Sequence, residues 1–440
     1  MTAREPALIT VVGVGPSPIS ELARDRLRHA ALVVGGRRQL AAVGPPEPTR
    51  LVELGGDLEP ALDAIAASAE PVVVLASGDP GFFGIVRALA ARFGRRRLEV
   101  LPAISAVAAA FAAAGLSWDD AVVVSAHGRD PRPAVNACMA HPKVAVLTQP
   151  GFGPAELATE LRGLDRRLLV AERLGEPGER VVEDDPAGVA AARWSDPNVV
   201  LVLDETAATR ARATAWPWRA TPTRWALPES AFEHRGGMIT KAEVRALALS
   251  RLGPGVGDLL WDVGAGSGSV GVECARLGAA VVAVDRDPEA CALVARNAAR
   301  HGVTVRVVEG AAPGALAGLP APDAAFVGGG GEALPGILQV VGVKARRAVV
   351  VALTGSARLA SAERVLGAAR ALAAAGLEVD TVQLRASRLE TSRYLEESLA
   401  VNPVFLVTGV RGTQERDPCA LGGERHSRAS VRRSSTGVRP

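Results

Sequence analysis

Three glycines stand close together in the second half of the chain, within the sequence WDVGAGSGSVG at residues 261–271. Gly264, Gly266 and Gly268 allow the backbone to turn sharply and approach a ligand closely, and the helix expected after them offers free N–H groups at its positive end. The glycines at 266, 268 and 271 also satisfy the GxGxxG spacing of dinucleotide-binding loops, which is weak evidence when it occurs alone. The loop therefore predicts a nucleotide-like ligand.

Two carboxylates near this loop narrow the choice of ligand. Asp262 precedes the first glycine in a D-x-G-x-G-x-G arrangement, and Asp285 ends the next predicted strand, 21 residues after Gly264. A carboxylate at that strand end can accept hydrogen bonds from both hydroxyls of a ribose, so the pattern fits an adenosine with free hydroxyls and disfavours a 2′-phosphate. Asp262 alone could serve only to bind backbone amides. Any ligand that contains such an adenosine, including NAD, remains a candidate.

The first half of the chain contains three irregular loops, and each follows a predicted strand. They are VGVGPSP at 12–18, SGDPGFFG at 77–84 and PAIS at 102–105. Loops at the carboxyl ends of parallel strands are where open α/β sheets bind ligands. Because Pro16 and Pro18 carry no N–H donor, a phosphate cradle of successive amides is disfavoured there. Each loop alone could be a tight turn, but together they predict a second ligand site.

Short β-branched runs alternate with helical stretches, which is typical of parallel sheets covered by helices. Strands of one sheet are predicted at 8–14, 31–34, 72–77, 98–101 and 121–125, and strands of a second sheet or lobe at 144–148, 167–172 and 198–203. Strands of a later α/β unit are predicted at 258–264, 281–285, 304–310, 323–329, 348–353, 378–384 and 403–409. Thr240 and Glu243 have capping-box spacing, so a helix is expected to begin at Thr240.

Length and composition indicate a globular protein of two or three domains, since 440 residues exceed one ordinary core. The Trp- and Pro-rich stretch 206–237 lacks periodicity and is interpreted as a partly packed linker between domains at 1–205 and 238–410. Residues 411–440 hold seven Arg and three acidic residues, and they predict a disordered basic tail. The rest of the chain is close to neutral, which argues against nucleic-acid binding.

The cysteines and the N-terminal sequence argue against several other classes of protein. Cys138, Cys274, Cys291 and Cys419 are scattered without CxxC spacing and without a His cluster, so neither a metal site nor a disulfide framework is expected. The first residues lack the pattern of a secretory leader, and the alanine-rich run 105–116 is too short to span a bilayer. We therefore expect a cytoplasmic protein that contacts no membrane.

Several segments resemble two methyltransferase families, in order and spacing. The first half resembles the CbiE branch of the tetrapyrrole methylases in VVGVGPSP (11–18), VVGGRRQL (33–40), LASGDPGFFG (75–84), PAISAVAAAF (102–111), VVVSAHGR (122–129) and AERLGEPGERV (171–181). The second half resembles the CbiT family, and motif I of the seven-strand S-adenosylmethionine methyltransferases, in MITKAEVRA (238–246), DVGAGSGSVG (262–271), VEGAAPGAL (308–316), PDAAFVGG (322–329) and NPVFLVTG (402–409). The fused order, over residues 8 to about 410, resembles the CobL family of precorrin-6Y C-methyltransferases.

This resemblance implies an α/β protein with a two-lobed tetrapyrrole methylase fold at 1–205 and a Rossmann-like seven-strand methyltransferase fold at 238–410. It also implies two sites for S-adenosylmethionine, methylation of ring carbons 5 and 15, and loss of carbon dioxide from the acetate on carbon 12, which gives precorrin-8X. The expected partners are a small-molecule tetrapyrrole and further copies of the chain in a homo-oligomer. Two alternatives stay open: a single-activity tetrapyrrole methyltransferase with one degenerate domain, and an NAD-binding module in the second half.

The resemblance further implies which residues contact the cofactor. In the first domain these are Gly13, Gly15, Pro16, Gly78, Asp79, Pro80, Ser105 and Ala106. In the second domain they are Thr240, Gly264, Ala265, Gly266, Ser267, Gly268, Asp285 and Ala312. His127, Arg129 and Lys241 are candidates for binding substrate carboxylates. No catalytic acid or base is identified.

Three residues depart from the family pattern. Ser17 stands where the first loop usually continues with glycine, Gln149 stands where Asp is common, and Ala311 stands where Asp usually precedes Ala312. We therefore expect a different local turn at Ser17 and no acidic role at Gln149. A backbone contact from Ala312 to adenine is compatible with Ala311, whereas a carboxylate contact is not.

Overall fold

The structure is a computed structural model, and it describes residues 8–15, 17–204, 224–354, 358–388, 399–400 and 403–412. Pro16, the first part of the predicted linker and nearly all of the predicted tail lie outside the described residues. Within these ranges the chain forms two five-stranded sheets, one seven-stranded sheet and a two-stranded ribbon.

The first sheet is fully parallel, and the three loops of the first half follow its strands. The strands are β1 (Ile9–Val14), β2 (Leu32–Gly35), β3 (Arg50–Glu53), β4 (Val72–Ser77) and β5 (Leu98–Leu101), in the order β3-β2-β4-β1-β5. The helices of this lobe are α1 (Glu21–Arg28), α2 (Arg37–Val43), α3 (Glu59–Ala66), α4 (Val86–Phe93) and α5 (Ala106–Ala114). Since β1 lies between β4 and β5, the loops after these three strands are neighbours at one edge.

The second sheet mixes parallel and antiparallel strands. These are β6 (Val122–Ser125), β7 (Lys143–Leu147), β8 (Arg167–Glu172), β9 (Arg180–Asp184) and β10 (Asn198–Leu203), in the order β6-β7-β10-β8-β9, with helices α6 (Arg132–Ala140), α7 (Pro154–Glu160) and α8 (Pro186–Ala191). The assignment of strand 121–125 to the first sheet is wrong, because β6 pairs with β7. Sequence analysis also missed β3 and β9, two edge strands in which charged residues interrupt the apolar run.

The third sheet belongs to the second half of the chain and contains all seven strands predicted there. These are β11 (Leu259–Val263), β12 (Ala280–Asp285), β13 (Arg306–Glu309), β14 (Ala324–Val327), β15 (Ala348–Thr354), β16 (Glu378–Leu384) and β19 (Val404–Val410), while β17 (Ser387–Arg388) and β18 (Leu399–Ala400) form the ribbon. The order is β13-β12-β11-β14-β15-β19-β16, and only β19 is antiparallel to its neighbours. The glycine loop follows β11, at the point where the strand order reverses.

In the part of the chain that the structure describes, five helices cover the third sheet. They are α9 (Ala242–Leu252), α10 (Ser269–Arg276), α11 (Pro288–Arg300), α12 (Leu334–Lys344) and α13 (Arg358–Ala374). Short 3-10 segments of the chain lie at Arg95–Arg97, Glu229–Ala231, Gly314–Leu316 and Gly331–Ala333. Among the described residues, no helix combines the length and the apolar character that crossing a bilayer requires.

Helix α9 begins one residue later than the predicted capping box requires. Its N-cap is Lys241, whose side chain makes no cap hydrogen bond. The carboxylate of Glu229 instead accepts a hydrogen bond from Ala242 N (3.2 Å). The prediction that Thr240 and Glu243 form the cap is therefore wrong, because an acid from the preceding segment binds the helix start.

The first domain contacts the second domain through helix α6. Asn136 Nδ2 donates a hydrogen bond to Gly257 O (2.9 Å), and Arg132 lies 3.7 Å from Asp323. Because Gly257 and Asp323 precede β11 and β14, this contact lies at the amino ends of the third sheet. The glycine loop follows the carboxyl end of β11, so it lies at the opposite ends of the strands from this contact.

Candidate active sites

The loops after β1, β4 and β5 meet in the first domain. Gly78 N donates a hydrogen bond to Val14 O (2.7 Å), and this bond joins the first two loops. A Cβ atom on Gly13 would lie 2.2 Å from Gly78 O and 2.5 Å from Ala103 N. Only glycine therefore fits at this position, and the structure brings together the three loops that the sequence singled out.

The loops after β4 and β5 also approach each other closely. Gly78 has a positive φ of 58°, and a Cβ atom there would lie 3.2 Å from Ser105 Cα and 3.4 Å from Ala106 N. Ser105 Oγ accepts a hydrogen bond from Ala108 N (3.1 Å) and caps helix α5. In the loop after β4, Asp79 Oδ1 accepts a hydrogen bond from the backbone N–H of Gly81 (2.8 Å). Gly78, Ser105 and Ala106, which were predicted from two separate loops, are therefore in close contact.

The loop after β6 carries two of the candidate substrate residues. Gln149 Oε1 accepts a hydrogen bond from Gly128 N (2.7 Å), and its Nε2 donates to Arg129 O (3.5 Å). An Asp at this position could make the first contact but has no N–H for the second. Gln149 therefore holds the loop by its amide, and His127 is exposed at the start of that loop.

The glycine loop of the second domain turns as the sequence predicts. Gly264, Gly266 and Gly268 have φ values of 69°, 55° and 71°, which side chains other than glycine adopt at a cost. Asp285 Oδ2 accepts a hydrogen bond from Gly266 N (2.9 Å), and Oδ1 accepts one from Asp287 N (3.0 Å). The carboxylate of Asp285 is thus fixed beside the loop, and both of its oxygens keep lone pairs for a ligand.

Asp262 is buried below the glycine loop. Its Oδ2 accepts a hydrogen bond from Gly271 N (2.8 Å), and its Oδ1 has no hydrogen-bond partner among the described residues. Burial, helped by the negative charge of Asp285, raises the pKa of Asp262 to about 7. A Cβ on Gly271 would lie 2.9 Å from Asp262 Oδ2, so a glycine at position 271 permits this contact. Asp262 therefore binds the start of helix α10, which is the structural role that the sequence left open.

Asn297 of helix α11 is a site residue that the sequence analysis missed. Its side chain is fully buried, and Nδ2 donates hydrogen bonds to Ser267 O (2.8 Å) and Glu233 O (2.9 Å). Its Oδ1 accepts a hydrogen bond from Glu233 N (2.8 Å). One amide therefore links the glycine loop to the segment that precedes the second domain. A polar residue on the buried face of a helix was the only signal in the sequence.

The segment 224–241, here called the strap, is fastened to the second domain by a buried ion pair. Glu273 accepts hydrogen bonds from Ala226 N (3.0 Å) and Leu227 N (2.7 Å) and contacts Arg245 Nε (3.3 Å). Both charged side chains have no exposed surface, and burial lowers the pKa of Arg245 against the opposing effect of Glu273. Arg245 also donates to Thr240 O (2.6 Å). The described part of the predicted linker is thus packed against the second domain.

The remaining predicted residues of the second domain lie at the edges of this site. Thr240 and Lys241 are half-buried at the end of the strap, and no described contact joins them to the glycine loop. Gly310 N donates a hydrogen bond to Asp285 O (2.8 Å), so the loop that carries Ala312 begins next to Asp285. Within the described ranges, no group of three His, Cys, Asp or Glu side chains could hold a metal ion.

Two family models match the chain. The model described as tetrapyrrole (corrin/porphyrin) methylases matches residues 8–188, and the model described as precorrin methyltransferase domain matches residues 230–392. The second match begins inside the strap, in agreement with the packing of that segment.

The curated proteins that resemble the chain include one relative that aligns with most of it and two that align with less than half of it. A precorrin-6Y C(5,15)-methyltransferase (decarboxylating) of Sinorhizobium sp is 40% identical over 74% of this chain and 81% of its own length. A probable cobalt-precorrin-6B C(15)-methyltransferase (decarboxylating) of Pyrobaculum calidifontis is 40% identical over 44% of this chain and 97% of its own length. A cobalt-precorrin-7 C(5)-methyltransferase of Salmonella typhimurium is 38% identical over 45% of this chain and 100% of its own length. Because the first of these alignments is longer than either matched domain, the chain belongs to the family of decarboxylating precorrin-6Y C(5,15)-methyltransferases.

Proposed function

We propose that this protein methylates carbons 5 and 15 of precorrin-6Y with S-adenosylmethionine and decarboxylates the acetate on carbon 12, producing precorrin-8X for cobalamin synthesis. The observation that carries this proposal is the similarity to the Sinorhizobium relative, which has this activity in its name and aligns over 344 residues. The predictions of enzyme class, fold and family agree with the matched domains. Two further properties remain predictions: assembly of the chain into a homo-oligomer and a cytoplasmic location.

The two chemical tasks are assigned to different domains. The first domain methylates carbon 5, and the second domain removes carbon dioxide and methylates carbon 15. Support comes from the two relatives that are named for one of these reactions each and that match less than half of this chain over nearly all of their own length. The domains comprise residues 1–205 and 238–410, and the packing of the strap adds residues 224–237 to the second domain.

Each domain is proposed to hold its own molecule of S-adenosylmethionine. In the first domain the meeting loops supply backbone donors and acceptors from Gly13, Gly15, Gly78, Asp79, Pro80, Ser105 and Ala106, and Pro16 lies outside the described residues. In the second domain Asp285 accepts hydrogen bonds from the ribose hydroxyls, and the adenosine rests against Gly264, Ala265, Gly266, Ser267 and Gly268, with Thr240 and Ala312 at the edges. At Gly13 and Gly264 the backbone of a neighbouring loop lies where a side chain would be. The loops therefore present mainly main-chain groups, which fits a ligand that is bound by main-chain N–H and C=O groups.

The chain's own residues act mainly by positioning. Bound S-adenosylmethionine supplies an electrophilic methyl group, and attack on it needs an aligned carbon nucleophile with water excluded. Loss of carbon dioxide leaves its electron pair in the conjugated ring of the substrate, which then presents a nucleophilic carbon to the second methyl group. His127, Arg129 and Lys241 are proposed to hold substrate carboxylates by charge-assisted hydrogen bonds.

Mass spectrometry of the product tests this function. The intact chain is incubated with precorrin-6Y and S-adenosylmethionine that carries an isotopically labelled methyl group. We expect a product with two labelled methyl groups and one carboxyl group fewer. A product with one labelled methyl group would show that one domain is inactive, and the absence of transfer would contradict the proposed function. Calorimetric titration with NAD in parallel separates the remaining alternative, since NAD should not bind.

A further inference from the structure

Two adjacent phenylalanines in the loop after β4 have opposite environments. Phe82 is half-buried and packs against the apolar cluster that Phe111 of helix α5 forms with Leu169 and Val199 of the second sheet. Phe83 is 45% exposed, and the two rings are nearly perpendicular with centroids 4.9 Å apart. Phe82 therefore anchors a loop of the first lobe in the second lobe, while Phe83 is left at the surface between them.

The backbone of Phe83 makes its exposure more informative. Its φ is 55°, in the left-handed region that bulky side chains rarely adopt. The ring packs edge-on against Phe82, yet nearly half of the residue stays exposed and its backbone is in an unfavourable region, so burial alone does not explain a phenylalanine here. Unfavourable backbone conformations that persist in folded proteins cluster at ligand sites. Phe83 also lies only three residues after Pro80, which is a proposed cofactor contact.

A positive charge from the second lobe lies against this ring. The guanidinium carbon of Arg129 is 5.9 Å from the centroid of the Phe83 ring. Gln149 holds the backbone on both sides of this arginine through Gly128 N and Arg129 O. Within the described part of the chain, Arg129 forms no ion pair, so its charge is available to an anion. The two lobes thus place an apolar ring and a free cation together, next to the cofactor loops.

We propose that Phe83 and Arg129 form the substrate platform of the first domain. The conjugated ring of the tetrapyrrole lies on the Phe83 side chain, and a carboxylate arm of the same molecule binds the guanidinium of Arg129. This inference rests on the proposed function, which supplies a substrate with a flat conjugated body and carboxylate arms that these two groups can bind. The platform presents the ring to the loop that contains Gly78, Asp79 and Pro80.

Variants of Phe83 test the apolar half of the platform. Phe83→Asn and Phe83→Gly remove the ring and also relieve the backbone, so both should fold. We expect each to raise the KM of the intact enzyme for the tetrapyrrole in carbon-5 methylation by about 10-fold or more, as for the loss of a stacking ring. Phe83→Tyr should restore the wild-type KM. Leu51→Asn changes a similarly exposed apolar residue on edge strand β3 and should leave the KM unchanged.

Variants of Arg129 test the charged half and its coupling to the ring. Arg129→Gln should raise the same KM and should weaken its dependence on salt concentration, because a charge contact is lost. In the double variant with Phe83→Asn the two effects should differ from additivity, since residues in one binding contact are coupled. A merely structural role of Arg129 would change the unfolding midpoint and leave the salt dependence of KM intact, and that result would overturn the proposal.

The outcome separates this inference from the proposed function. If the wild-type chain forms the doubly methylated product and Phe83→Asn forms it with an unchanged KM, the platform is wrong and the function stands. If the wild-type chain forms no methylated product, the proposed function fails on its own. Calorimetric affinity for S-adenosylhomocysteine should be the same in the wild type and in all Phe83 variants, and a loss of that affinity would assign Phe83 to the cofactor site instead.

Discussion

The two candidate cofactor sites of this chain are ordered by different physical means. In the first domain, three loops from β1, β4 and β5 are held together by close backbone approach at Gly13 and Gly78. In the second domain, a single glycine loop is held by buried polar side chains, with Asn297 on one side and Asp262 on the other. Steric fit between backbones therefore limits the first site, whereas the second site depends on hydrogen bonds made away from water. Substitutions at the two sites should therefore fail differently.

Breaking the buried ion pair of the second domain should have the largest effect. In Glu273→Gln the charge of Arg245 stays buried without its partner, and removing one member of such a pair costs ~3–5 kcal/mol. Denaturant titration followed by segment-resolved hydrogen exchange should show this loss in the second domain and not in the first. The control is Arg296→Gln, which removes an exposed pair with Glu233 and should cost less than ~1 kcal/mol. Equal losses in both variants would contradict the account.

A methyl group at Gly13 should disable the first site. The added Cβ of Gly13→Ala would stand 2.2 Å from Gly78 O, so the loops must separate. Because a displacement of about 1 Å can slow a positioned reaction ~100-fold, we expect carbon-5 methylation to slow by about that factor and the first site to lose affinity for S-adenosylhomocysteine. Gly55→Ala is the matched control, since nothing lies within 4 Å of its Cβ. Calorimetry with unchanged binding in Gly13→Ala would show that steric fit does not order this site.

Removing the Asn297 amide should weaken the second site less severely. In Asn297→Ala the Ser267 carbonyl and the Glu233 backbone lose buried partners, and each unsatisfied group costs ~1–3 kcal/mol. We expect binding of S-adenosylhomocysteine at the second site to weaken by about 10-fold, with the first site unaffected. If both sites keep their affinity while the unfolding midpoint falls, Asn297 stabilises the fold without ordering the loop.

The raised pKa of Asp262 predicts an effect on stability that depends on pH. Since burial raises this pKa to about 7, the folded state binds a proton that the unfolded state has released above about pH 4. The contribution of this group to stability is therefore complete below about pH 4 and decreases as the pH rises to about 7, by up to about 1.4 kcal/mol per pH unit. Unfolding free energies of the wild type and of Asp262→Asn, compared at several pH values, should show the wild type losing stability relative to the variant as pH rises. A constant difference would show that Asp262 is ionised when folded.

The sequence predicts the strands well where they are buried. Apolar runs such as those of β4 and β11 identify a strand by themselves, but charged edge strands such as β3 do not. The sheet to which β6 belongs was wrongly predicted because pairing is decided by tertiary contacts between distant segments. The predicted cap of α9 is wrong for a similar reason, because the carboxylate of Glu229 in the strap accepts the hydrogen bond at the start of this helix.

The site residues show the same division between local and distant information. The glycine loop and Asp285 follow from local spacing, because strand, turn and helix come in sequence order. Asn297 could not be found in that way, since its partners Ser267 and Glu233 lie 30 and 64 residues away along the chain. The exposure of Phe83 likewise depends on how two lobes meet. Sequence spacing therefore predicts which loop is a candidate ligand site. The tertiary fold determines which distant side chains, such as Asn297, hold that loop in place.

If each domain binds its own S-adenosylmethionine, the number of S-adenosylhomocysteine molecules bound per chain should reveal it. Calorimetric titration of the intact wild-type chain should give two bound molecules, and the same titration of Gly13→Ala should give one, at the second site. A wild-type chain that binds a single molecule, at any affinity, would show that the two domains do not each hold a cofactor.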